Sequence, residues 1–472
     1  MKNNLKIGLF GVGLEAYWSQ FPTLKNNLEN NLATIHKHIQ AINSNVFNAG
    51  LVDNIDRAFE AGDFFREKSV DIIFLYITTY ALSATILPVV QKAKVPVIIL
   101  NLAPNEAIDY KYFANLPNRQ AMTEHWLSYC SACTAPEIAN VFKRVGINFF
   151  QIVGHLNDKE SLAEIKDWIE ATQVANILFY NRLGVMGHYY SGMLDIYTDI
   201  TLQHKYFGGY TEIIEVDELA DISQNVLENE IQEKLAIFQQ EFDIQEDCSK
   251  EELHRAARTS CALDKLTKKY KLGSLAYFYR GLHKNEDVIS SVILGNSLLT
   301  ANNIPVAGEL EIKNIMAMKI MDSFKAGGSF SEYYAIDFND DVILFGHDGP
   351  GHLGIAEGKV KVRPLNVYHG KVGSGLSVEM AVKKGKITLL SVVEQTGDKL
   401  MLLVAEGESV SGETLAIGNT NSRYKFSIGA KQFINDWNSH APAHHCAIGV
   451  GHIANKIKKL ANILNMDVVQ VC

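Results

Sequence analysis

Short apolar runs without polar alternation recur through the first 180 residues, and helix-length stretches separate them. Residues 6–11, 70–77, 95–102, 149–153 and 177–179 have the length and composition of strands. Residues 21–42, 55–68, 80–93, 135–145 and 159–172 lie between them as helical candidates. Strand–helix alternation of this kind implies a parallel sheet with helices on both faces. Continuous apolar runs fit strands buried on both sides. This pattern restricts the first part of the chain to an α/β fold.

A chain of 472 residues suggests two to four domains, because single cores rarely grow past roughly 250–300 residues. Around 181–209 the character changes. The segment Arg182-Leu-Gly-Val-Met-Gly-His-Tyr-Tyr-Ser-Gly-Met-Leu-Asp is rich in Gly and Tyr. It reads as a loop at a strand's C-terminal end, where α/β folds place ligands. Residues 217–273 are charged and helical, and a second α/β unit is expected to run to about Lys325. From Gly327 the pattern turns β-rich and antiparallel. Residues 378–382 and 386–393 flank Lys383-Lys-Gly385, a hairpin signature, and 400–405 is a further strand candidate. A helix over 454–465 closes the chain. The expected fold is α/β, with two doubly wound parallel-sheet domains (1–174 and 175–326) followed by a β-rich domain (327–472).

The hydrophobic share of 47% supports a large buried core and excludes a disordered chain. A net charge of −9, with no basic run interleaved with aromatics, argues against nucleic acid as a partner. The N-terminus enters a strand-like run with neither the apolar core nor the cleavage site of a signal peptide. No apolar run approaches the length of a membrane span. A cytoplasmic location is the expectation. The six cysteines are too sparse for a disulfide framework. Cys130-Ser-Ala-Cys133 has no second pair at zinc-finger spacing, so reduced structural thiols are expected.

Four residues carry the chemistry. Glu309 lies in Val-Ala-Gly-Glu-Leu-Glu-Ile-Lys, Glu332 in Gly-Gly-Ser-Phe-Ser-Glu-Tyr-Tyr, His347 in Leu-Phe-Gly-His-Asp-Gly, and His445 in Ala-Pro-Ala-His-His-Cys. Two carboxylates and two imidazoles suit Mn²⁺ or a related divalent cation such as Co²⁺ or Mg²⁺. Such a set can polarise a sugar carbonyl and hydroxyl and supply a proton-transfer base. Glu309 and Glu311 are expected to open a helix with apolar positions Ile312, Ile315, Met316 and Ile320, where acidic residues also favour the helix dipole. Residues two apart do not share a helix face, so one of the two is expected to face a site. Asp348 is placed to orient an imidazole. His444 and His445 are adjacent, and in an extended segment they point opposite ways. One can ligate while the other contacts substrate or packs.

Gly11-Val-Gly-Leu-Glu-Ala16 follows a strand and matches a Gly-x-Gly-x-x-Ala dinucleotide fingerprint. The acidic residue expected about 20 residues on is missing, and Asp53 lies about twice that far. Tyr17 and Trp18 would crowd a pyrophosphate. The segment reads as a tight strand–helix turn with aromatics able to face a sugar.

With the four positions assembled, the chain resembles the L-arabinose isomerase family of the L-fucose/L-arabinose isomerase superfamily, most clearly over 305–445. Glu309, four residues before Lys313, and Glu332 in Ser-Phe-Ser-Glu match the family's two metal-binding glutamates. His347 in Leu-Phe-Gly-His and the second His of Ala-His-His, His445, match its two ligand histidines. The resemblance implies that Glu309 and Glu332 share ligation and proton transfer through an enediol. It implies L-arabinose to L-ribulose as the first conversion to consider, with L-fucose or another aldose as alternatives. It also implies a homo-oligomer, trimeric or hexameric. His188 in the Gly-rich loop, Tyr17, Trp18 and His444 are weaker candidates for sugar contacts. The chain departs from the family's pattern in two places. The N-terminal turn reads Gly-Leu-Glu-Ala-Tyr-Trp in place of a Gly-Ser-Gln-like segment, and Cys-Ser-Ala-Cys-Thr-Ala-Pro-Glu137 replaces a His-Gly-Gly-Arg-Glu-like loop. A different class, an NAD(P)-dependent sugar dehydrogenase using the N-terminal turn, stays open at this point.

Overall fold

A computed structural model describes residues 5–365 and 374–472. The chain divides into two compact units, Met1–Gln173 and Val174–Cys472.

The first unit is a parallel sheet. Its strands are β1 (Ile7–Val12), β2 (Val46–Val52), β3 (Ile72–Ile77), β4 (Val97–Ala103) and β5 (Phe149–His155), in the order β2-β1-β3-β4-β5. β1 and β3 are buried at every position, which explains their unbroken apolar sequence. β2 was not among the predicted strands, since Asn48, Ala49 and Gly50 interrupt its apolar run and five of its seven residues are half-buried. The strand order reverses between β1 and β3, and this is where open α/β sheets form a crevice.

The second unit begins with a four-stranded parallel sheet of order β10-β9-β6-β7. It comprises β6 (Arg182–Met186), β7 (Tyr210–Ile214), β9 (Ser274–Tyr277) and β10 (Val306–Ala307); β8 (Phe242–Ile244) belongs elsewhere. Two expectations fail at its start. Residues 177–179 end the helix Lys159–Phe179, and Arg182–Met186, expected as loop, is the strand. Within that run only Leu178 is buried and Phe179 is exposed, as on a helix with one buried face, and the Gly-rich loop starts only at Gly187, which adopts φ +96°.

The remainder is antiparallel and barrel-like. β11 (Gly327–Asp337), β12 (Val342–His347), β15 (Gly385–Gln395), β16 (Lys399–Val410), β17 (Thr420–Lys425) and β18 (His445–Val450) run in the order β15-β18-β11-β12-β17-β16, and a β15–β16 pairing closes the ring. β19 (Asp467–Gln470) adds to β16 in parallel. β13 (Val360–Leu365) and β14 (Gly375–Glu379) form a separate three-stranded sheet with β8. The expected hairpin across Lys383-Lys-Gly385 is therefore incorrect. β14 pairs with β13, and the hairpin partner of β15 is β16. Its turn lies at Gly397-Asp398, both with positive φ, where β15 and β16 share an eleven-residue register.

The helix Ile312–Ser323 is buried from Ile312 through Asp322. It packs against β9 and β10 on one side and β11, β15 and β18 on the other, so it is buried well beyond the apolar positions Ile312, Ile315, Met316 and Ile320. Its two lysines are hydrogen-bonded internally. Lys313 Nζ donates to the Asp195 carbonyl, and Lys319 Nζ donates to the Asn303 carbonyl at 2.8 Å and pairs with Asp322 at 3.1 Å. Among the described residues no helix is long and apolar enough to cross a membrane.

Candidate metal centre

Three neighbouring barrel strands deliver three of the four predicted ligands at one level. Glu332 on β11 stands opposite His445, the first residue of β18, on one side and opposite Gly346 on β12 on the other. His347 follows Gly346 at the end of β12. Strands lie about 4.8 Å apart, and directly opposed residues share a face, so the register brings Glu332 and His445 together, while His347 comes in at the strand end with its ring centroid 5.1 Å from that of His445. A Cβ on Gly346 would fall on the Thr420 carbonyl and the Tyr334 ring; only glycine lets the strands close up beside His347.

The fourth residue arrives from β10. Glu309 and Leu310 both adopt left-handed backbone, at φ 59° and 58°. Two consecutive non-glycine residues there cost about 1–3 kcal/mol each. The turn is held by Leu310 N–H donating to the Tyr277 carbonyl at 2.9 Å and Glu311 N–H donating to the Gly308 carbonyl at 3.0 Å. The helix begins only at Ile312, with Glu311 as its N-cap. The expectation that Glu309 and Glu311 occupy one helix, with a single one facing the site, is thus corrected. Neither is in the helix, and both reach His445. Glu309 Oε2 lies 3.5 Å from His445 Nε2, while Glu311 Oε2 hydrogen-bonds His445 Nδ1.

Donor atoms of Glu309, His347 and His445 lie within 4.8 Å of one another, as do those of Glu332, His444 and His445. The two groups share His445. Each triad would offer a divalent cation three donors, and among the described residues no one group holds all four predicted ligands. Phe330 forms the apolar floor, its ring centroid 4.5 Å from that of His347 and 4.3 Å from that of His445.

The imidazoles are oriented for ligation. His347 Nδ1 donates to the Asp348 carbonyl at 2.6 Å, which makes Nε2 the unprotonated nitrogen. Asp348 does orient the ring, through its backbone and not through its carboxylate. His445 is 1% exposed, and its Nε2 is buried with no hydrogen-bond partner among the described residues. Burial, with the neighbouring His444, holds His445 well below the usual imidazole range. Burial also pushes the Glu311 carboxyl up to about 8, against the pull of Lys313 and His444. Glu311 on one ring nitrogen and an unpartnered second nitrogen is the arrangement seen at metal-bound histidines. On donor chemistry and on this unpartnered nitrogen, the residues fit a divalent cation.

His444 faces the same cluster. Its Nε2 lies 3.8 Å from Glu332 Oε2 and 3.9 Å from Glu309 Oε2. Its Nδ1 is 2.6 Å from Asp195 Oδ2, which also accepts the His444 backbone N–H at 3.0 Å. Burial opposes the charged ring, but the Asp195 hydrogen bond and the surrounding carboxylates leave His444 above the usual range. Asp195, Lys313 and the pairing role of Glu311 were not predicted. They act at long range, and no local motif announces them.

The strand order of the parallel sheet reverses between β6 and β9, and the loops beyond these two strands gather aromatic rings. His188 lies with its ring centroid 4.3 Å from that of Phe278, and Tyr190 borders both Phe278 and Tyr279. Burial, then the nearby charge of Glu309, raises the Tyr279 phenol, which places that ring beside the cluster. Tyr17 and Trp18 belong to the first unit, at the turn beyond β1. Trp18 Nε1 donates to Asp53 Oδ2 at 2.7 Å, and a Cβ on Gly13 would lie 2.9 Å from the Trp18 ring. The indole thus occupies the space over the Gly-x-Gly turn and engages Asp53, the acidic residue just past β2.

No protein-family model and no curated protein matches this chain.

Proposed function

We propose that this chain is a metal-dependent aldose–ketose isomerase of the L-fucose/L-arabinose isomerase type, with L-arabinose to L-ribulose the first conversion to test. The observation that supports the reading is that His445, with its unpartnered Nε2, belongs to two donor groups, one with Glu309 and His347 and one with Glu332 and His444. A bound divalent ion of the Mn²⁺, Co²⁺ or Mg²⁺ kind would polarise adjacent sugar oxygens and stabilise negative charge developing on them.

The protein's own groups account for the proton movements. Glu309 and Glu332 reach the cluster from different elements, so one carboxylate can take the C2 proton and return it to C1 of an enediol while the other holds the substrate hydroxyls. His444, held by Asp195, is positioned to move a hydroxyl proton. The aromatic loops beyond β6 and β9, with His188, offer faces for the sugar's apolar side. Trp18 over the Gly-x-Gly turn weighs against the dehydrogenase alternative.

The test is a panel of aldoses, L-arabinose and L-fucose among them, incubated with metal-stripped protein with and without Mn²⁺ and assayed for ketose. Ketose that forms only with metal is the expected result. No ketose from any aldose, or sugar-dependent reduction of NAD(P)⁺, would overturn the reading.

A further inference from the structure

Cys130 and Cys133 form a second reactive constellation, in the first unit. Their Sγ atoms are 3.1 Å apart. The two thiols differ in setting. Cys130 is 8% exposed and packs with Phe21, Leu24, Leu28 and Leu127, whereas Cys133 is exposed and precedes the helix Thr134–Arg144 as its N-cap. The segment between them is pinned from both sides. The Thr79 hydroxyl donates to the Leu127 carbonyl at 2.7 Å, and the Thr134 hydroxyl donates to the Thr79 carbonyl at 3.2 Å while accepting Ala81 N–H. The sulfurs are therefore held together by the crest of β3. All six cysteines are free thiols, with Cys248 and Cys261 donating to backbone carbonyls.

We infer that Cys130 and Cys133 are a redox-active dithiol that closes reversibly to a disulfide by exchange with low-molecular-weight disulfides. The accessible Cys133 thiolate attacks one sulfur of RS–SR, forming a mixed disulfide and releasing RS⁻. Cys130 then loses its proton to solvent and attacks the Cys133 sulfur, forming the protein disulfide and releasing the second RS⁻. The protein gives up two electrons and two protons, and the small disulfide becomes two thiols. Burial, with the hydrogen bond from Cys133, pushes the Cys130 thiol up to about 12, which suits it to the resolving step and not to first attack. Tyr17 and Tyr80 border the pair, and both phenols are raised in part by the two sulfurs, so the redox state is felt at the turn beyond β1.

The test uses the full chain, without denaturant, in glutathione/glutathione-disulfide mixtures, followed by acid quench, alkylation and trypsin. Both cysteines fall in one tryptic peptide, residues 120–143. As the disulfide fraction rises, the doubly alkylated peptide should give way to an unalkylated form about 2 Da lighter than the dithiol. In Cys130→Ser, Cys133 should accumulate as the glutathione adduct. A peptide that keeps both alkyl groups at every ratio, or a wild-type peptide that stops at glutathione on Cys133 with Cys130 alkylated, would overturn the inference.

Discussion

Asp195 holds His444 at two points, with one carboxylate oxygen 2.6 Å from the ring Nδ1 and 3.0 Å from the backbone nitrogen. The two residues are 249 positions apart. This double anchor fixes the ring so that Nε2 faces Glu309 and Glu332. Asp195→Asn keeps the size and loses the charge. On the proposed reading it lowers kcat about 10–100-fold, the usual effect of removing such an orienting partner, while Mn²⁺ affinity changes little. Steady-state kinetics beside a metal titration separate the two, and an unchanged kcat would remove His444 from the proton path.

Glu311 acts on the other imidazole. It is 1% exposed and hydrogen-bonds His445 Nδ1. Glu311→Gln should weaken Mn²⁺ binding about 10–100-fold with the far-ultraviolet circular dichroism unchanged. Calorimetric titration checks this, and wild-type affinity in the variant would show that the carboxylate does not support the ring.

Glu309 stands at the left-handed turn that the fold maintains at a cost. Glu309→Gln should cut kcat/KM by about 10²–10⁴-fold, the range of a lost acid–base group, and leave Tm within a few degrees. Near-normal turnover would exclude Glu309 as the base.

Stability should carry a histidine signature away from the centre. His352 is 7% exposed, and its Nδ1 accepts Gly354 N–H at 3.2 Å. Burial drops its imidazole to about 4. Above pH 6.5 the ring is neutral in both the folded and unfolded chain, so full stability is present. Below 6.5 the unfolded chain takes up a proton that the folded chain refuses, and stability falls until about pH 4, where the folded ring also protonates. The loss amounts to about 3 kcal/mol. Urea unfolding of wild type and His352→Gln at pH 7 and pH 4 should show the wild type losing more by that amount; equal losses would contradict it.

Much of this was legible in the sequence because it is local. The continuous apolar runs of β1, β3 and β4 announce a parallel sheet. Each of the four candidate ligand residues sits in a recognisable segment, three at or within barrel strands whose apolar character is plain. What was hidden depends on pairing across the chain. The β14–β13 register overrides the local hairpin signal at Lys383-Lys-Gly385. Two left-handed residues before Ile312 turn Glu309 and Glu311 toward opposite edges of one ring, a geometry that helical spacing cannot foresee. Asp195 lies in a short turn with no motif of its own.

The central claim is that four residues gathered from β10, β11, β12 and β18 bind one divalent ion through His445. Electron paramagnetic resonance of Mn²⁺ added to metal-stripped protein measures this directly, because the free-ion signal falls as the ion binds. The account predicts saturable uptake of one ion per chain in the wild type and its loss in His445→Ala. Absence of saturable uptake, or uptake unchanged by His445→Ala, would contradict it.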